Sequence, residues 1–95
     1  MPAEPQDKLN LHGYHTPHAQ NQAAVFIRGA YQRGLRLVEI VTGRGAHTKG
    51  EPVLHDAIQK VIARLAREGI VANYQSISQG GAFWVTLSIN REHSQ

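Results

Sequence analysis

Residues 35–42, LRLVEIVT, run directly into residues 43–50, GRGAHTKG, and this junction decides how the chain folds. The first half is short, strongly apolar and rich in β-branched side chains. It reads as a strand in the middle of a sheet, buried on most of its length. The second half holds three glycines and two basic residues and reads as a loop. It leaves the strand at the C-terminal end, where open α/β sheets generally receive ligands.

The flanks repeat one grammar. Upstream, HTPHAQNQAAVFIRGAYQRG (15–34) carries a helix start signal, with Thr16 as N-cap and Pro17 at the first helical position. Apolar Ala19, Ala23, Phe26, Ile27, Ala30 and Tyr31 recur at three- and four-residue steps, and Gly34 suits a left-handed cap, so the helix is expected over 17–33. Before it, KLNLH (8–12) alternates apolar Leu9 and Leu11 with polar neighbours, the period-two sign of a strand that puts Asn10 and His12 on one face. Downstream, EPVLHDAIQKVIARLAREG (51–69) is a second helix with Pro52 early, a stripe from Val53 to Leu65, and Gly69 as cap. IVANYQSI (70–77) and FWVTLSI (83–89) are two more strands joined by SQGGA (78–82). The order β-α-β-α-β-β predicts a parallel crossover followed by an antiparallel hairpin. The expected fold is therefore an α/β two-layer sandwich, with two helices on a mixed four-stranded sheet.

Ninety-five residues make one domain. We expect it to span 9–89, with 1–8 as a flexible N-terminal tail or linker and 90–95 as a C-terminal tail. There is no cysteine, which excludes disulfide frameworks and thiolate zinc sites. No stretch approaches the ~18 apolar residues of a membrane span, and the start, MPAEPQDK, lacks the apolar segment of a signal peptide. A monomer in the cytoplasm, with no membrane partner, is the expectation. The net charge of +3 favours polyanions. Arg28, Arg33, Arg36, Arg44 and Lys49 are the residues from which a phosphate-facing patch would be built.

Chemistry is expected where the first two strands end. There His12 leaves the first strand beside Gly13, which lets another molecule approach, and TGRG (42–45) leaves the second. Gly43 and Gly45 would let backbone N–H groups approach an anion, Arg44 and Lys49 would add charge, and the second helix would add its N-terminal dipole. The loop matches neither a Walker A sequence nor a dinucleotide fingerprint. His12, His15, His18, His47 and His55 do not form a metal-ligand ladder, so no metal site is assigned. Tyr14 and Trp84 are candidates for stacking on bases, although Trp84, on a strand, is expected in the core.

LNLHG (9–13), TGRG (42–45) and Gly80-Gly81 before FWVTL, in this order on these elements, resemble the Smr (small MutS-related) domain over essentially all of 9–89. The resemblance implies a fold similar to the C-terminal domain of translation initiation factor three. It also implies a nucleic-acid partner, DNA or RNA, and in several members nicking or cleavage. Carried onto this chain, it makes His12, Asn10 and Thr42 the catalytic candidates. Gly13, Gly43, Arg44, Gly45, Lys49, Gly80 and Gly81 become the nucleic-acid-contacting set. No cofactor is required by these residues, and magnesium is the one candidate as an assistant to cleavage. One departure stands out: the family's first motif has Asp where this chain has Asn10, an amide that cannot act as a base and binds divalent cations far less well. The functional expectation is a nicking endonuclease of little sequence specificity. The alternatives are a nucleic-acid-binding module without chemistry, or a protein-interaction domain.

Overall fold

The structure is a computed structural model, and it describes residues 3–43 and 54–90. Six elements follow in the expected order: β1 (Lys8–Asn10), α1 (Thr16–Gln32), β2 (Leu37–Val41), α2 (Leu54–Arg67), β3 (Val71–Ile77) and β4 (Ala82–Leu87). The strands form one sheet in the order β1-β2-β4-β3. β1 is parallel to β2, and β4 runs antiparallel to both β2 and β3. The most apolar strand, β2, is thus interior, as its composition requires.

Side-chain period sorts the sheet into two faces. Val38 and Ile40 of β2, and Phe83, Val85 and Leu87 of β4, point to the helices and are essentially without solvent exposure. They meet Ala23, Ile27 and Ala30 of α1 and Ile58, Val61, Ile62 and Leu65 of α2 in one aliphatic core, with Leu11 closing it at the end of β1. Among the described residues the other face bears no helix. A single rung, Lys8–Glu39–Trp84–Gln75, crosses all four strands there. Trp84 therefore does not sit in the core as expected. The strand alternation that buries Phe83 and Val85 turns Trp84 outward, where it is half-buried and its Nε1 donates to Glu39 Oε1 at 3.3 Å.

Both helices end in the Schellman pattern that their glycines predict. Gly34 (φ 78°) and Leu35 donate to Tyr31 O and Ala30 O, and Gly69 (φ 86°) and Ile70 donate to Ala66 O and Leu65 O. Helix α1 begins one residue earlier than expected, with His15 at the N-cap, Thr16 as first helical residue and Pro17 behind it. The first helical hydrogen bond runs from Ala19 N–H to His15 O at 2.8 Å, which places Thr16 inside the first turn rather than at the cap. The β3–β4 connection is a tight hairpin turn. The chain turns over Gln79 (φ 56°, ψ 38°) and Gly80 (φ 90°), closed by Gly81 N–H on Ser78 O, and Gly81 itself has φ −90°. This is the primed turn whose twist matches that of the flanking strands.

The N-terminal segment joins the sheet ahead of Lys8. Gln6 N–H donates to Leu37 O, and Glu39 N–H to Asp7 O. Asp7 also pairs with Arg33 at 3.0 Å.

Candidate nucleic-acid interface

The C-terminal ends of β1 and β2, the start of β4 and the first turns of both helices lie at one edge of the molecule. β1 presents Leu9 and Leu11 to the core, so Asn10 and His12 share the opposite face, as the alternation implies. Asn10 Oδ1 accepts the backbone N–H of His12 at 2.9 Å, an Asx turn that folds the chain as soon as the strand ends. Leu11 N–H donates to Val41 O and Leu11 O accepts Tyr14 N–H, with Gly13 at φ 88° inside the turn. These bonds hold residues 11–14 as a compact corner, from whose crest His12 is exposed.

Gly43 is the floor under His12. A β-carbon there would strike the ring's Cδ2 and lie 3.3 Å from both Cγ and Nε2. Gly43 also has φ 82°. Its amide, expected to be open to an anion, is in use: Thr42 N–H and Gly43 N–H both donate to Gly81 O, at 2.9 and 3.0 Å. Thr42 is 3% exposed, and its hydroxyl lies 3.4 Å from the carbonyls of Gly43 and Gly81. Gly81 thus ties the second and third motifs together through its carbonyl, while Gly80 supplies the turn. Arg44, Gly45, His47 and Lys49 lie outside the described residues.

The helix ends set the local field. α1 has no acidic residue in its first turn and no side-chain hydrogen bond at its cap, so no side chain of its own first turn neutralises its positive end. On this first turn His18 lies against Tyr14, ring centroids 5.1 Å apart and tilted by 42°. α2 carries Asp56 in its first turn. The other arginines lie elsewhere: Arg28 pairs with Glu68, Arg33 with Asp7, and Arg36 Nε donates to Leu87 O. Leu87 closes β4 and Arg33 caps α1, so Arg33 and Arg36 belong to the opposite end of the sheet. The three described members of the expected patch, Arg28, Arg33 and Arg36, therefore lie away from His12.

The Smr domain family model matches residues 9–88, a span that contains every motif gathered at this edge. The chain belongs to the Smr domain family. The fold agrees with that of the Smr domain of Thermus thermophilus MutS2, at a TM-score of 0.67 and 20% identity over 85% of this chain and 96% of that one. It agrees likewise with YdaL, a stand-alone small MutS-related protein from Escherichia coli, at 0.65 and 27% identity over 85% of this chain and 63% of that one. An uncharacterized protein of Treponema pallidum (strain Nichols) is 33% identical over 86 residues, which cover 90% of this chain and 43% of that protein. The chain thus spans less than half the length of this curated relative.

This Smr domain has one edge residue that the sequence suggests only as a member of a metal-ligand set. His55, the second residue of α2, lies parallel to Phe83 at 4.1 Å and 10°, with Nε2 3.3 Å from Ser76 Oγ. Its Nδ1 is buried without a partner among the described residues. The sequence shows only a histidine in a helix; the Phe83 beneath it is brought there by the sheet. The donors do not suit magnesium, which favours carboxylate oxygens. Asn10 Oδ1 is engaged by His12, and among the described residues no group of three metal-binding side chains comes together.

Proposed function

We propose that this Smr domain, taken as residues 9–89 and acting as a cytoplasmic monomer, binds nucleic acid. We further propose that it nicks phosphodiester bonds with little sequence specificity, with His12 as the acid–base group. The observation that carries this reading is the His12 ring itself, exposed on a corner that Asn10 and Leu11 brace and resting on a glycine that leaves it room. Histidine exchanges protons near neutral pH, and an exposed ring on a braced backbone can meet a substrate that is too large to enter a pocket.

In hydrolysis, His12 takes a proton from a water whose oxygen forms a bond to phosphorus. The bond from phosphorus to the leaving sugar oxygen breaks, and that oxygen takes a proton from solvent. Thr42 serves here by holding Gly43 against Gly81, since its hydroxyl is buried and its amide engaged. Charge on the phosphoryl oxygens falls to Arg44, Lys49 and the positive end of α1. No step runs through a metal ion.

Asn10 favours a second reading, a binding module without chemistry. Its amide braces His12 as a carboxylate would, yet it adds no negative charge to support an imidazolium. Nicking of supercoiled plasmid separates the two. With His12 as the acid–base group, His12→Ala lowers the rate by about two to four powers of ten, and Asn10→Asp raises it. Wild-type protein that retards the plasmid in a salt-dependent way but never nicks it supports the binding module instead.

A further inference from the structure

Next to His12 stands an aromatic pair that neither the fold nor the proposed cleavage requires. Tyr14 ends the corner that carries His12 and is 42% exposed. His18, also exposed, lies against it at 5.1 Å, and Gln22 Nε2, one turn further along α1, sits 3.3 Å from His18 Nε2 and steadies the ring. We propose that Tyr14 and His18 form a stacking platform for one unpaired nucleobase, next to the phosphate that His12 meets. The assignment rests on the nucleic-acid reading and deepens it. It makes the preferred substrate a single strand, a bulge or a frayed end rather than a closed duplex.

The argument is one of shape and charge. Bases in a closed duplex present only their edges, so an aromatic face on a convex corner can be used only by a base that has left the stack. The pair's surroundings suit a polyanion, because α1 has no acidic residue in its first turn. The indole on the open sheet face is poorer in this respect. Trp84 donates its Nε1 to the carboxylate of Glu39, and that negative charge opposes an approaching phosphate backbone.

The test compares binding of a short oligothymidylate with binding of an abasic strand of the same length and charge, measured by fluorescence anisotropy at several salt concentrations. Wild-type protein is expected to favour the strand with bases by about tenfold. Tyr14→Ala should abolish that preference and leave the abasic strand's affinity unchanged, Tyr14→Phe should keep it, and His18→Ala should weaken it. Melting curves of all three variants matching wild type confirm that the fold is intact. Trp84 is the chain's single tryptophan, so its own emission reports on the open sheet face. A preference for bases that survives Tyr14→Ala, accompanied by Trp84 quenching, overturns the platform in favour of that face. Equal binding of both strands by wild-type protein overturns the platform and leaves the nucleic-acid reading standing. Binding of neither strand removes both.

Discussion

At the scale of single residues, Gly43 is where the sequence was most informative and most open to misreading. That glycine is required there was legible, and the reason turned out to be different. The sequence suggests a backbone bared for an anion, whereas Gly43's N–H is held by Gly81 O and its missing side chain is what lets the His12 ring lie close. Gly13 provides the control. It has φ 88°, close to the 82° of Gly43, but nothing within 4 Å of the β-carbon it would carry. An alanine at either position imposes a left-handed conformation on a residue with a β-carbon, a cost of about 1–2 kcal/mol. Only Gly43→Ala must also push the imidazole aside. Both variants are therefore expected to lose similar stability in urea melts, while the His12 ring resonances and the nicking rate change much more in Gly43→Ala. Equal shifts of the His12 resonances in both variants would show that the contact is incidental. The pairing of Asn10 with His12 was legible only as a shared face. The hydrogen bond that joins them depends on a corner that alternation does not describe.

At the scale of elements, most of the fold was legible because its signals are local. Two glycines placed just past two amphipathic stripes announce two Schellman ends, and both are found. Gly69→Ala, at φ 86° with open space around it, should cost about 1 kcal/mol. For a domain of this size, that corresponds to a fall of roughly 4–8 °C in melting temperature. Calorimetry checks this directly, and an unchanged midpoint would mean that the end of α2 frays without consequence. What escaped the sequence was decided between elements. Trp84 was assigned to the core because it lies on a strand, but its face is set by register against Glu39 and Gln75. SQGGA was legible only as a loop between two strands, whereas the turn itself runs over Gln79 and Gly80. His55 became part of the site edge only when β4 brought Phe83 beneath it.

At the scale of the whole molecule, charge and connectivity are arranged end to end. Asp7 ties the N-terminal segment to the finish of α1. The Lys8 backbone N–H and then the Arg33 guanidinium hold its carboxyl below its ordinary value of 3.8. A carboxylate lowered in the folded state contributes its stability in full above that ordinary value and loses it as pH falls through the lowered one. The contact is largely solvated, so it is worth about 1 kcal/mol or less. Wild-type protein should accordingly lose stability on acidification below 3.8 slightly faster than Asp7→Asn, as read by the difference between their melting temperatures across an acid series. Parallel curves would show the pair to be neutral. The same end of the molecule holds residues 88–90: Ser88 N–H donates to Ile70 O, and Asn90 Nδ2 to Tyr31 O. Gln6 and Asn90 thus both lie on the side remote from His12. A fusion partner, an affinity handle or a surface anchor attached through either of these points would hold the protein by its back, with the His12 corner directed outward.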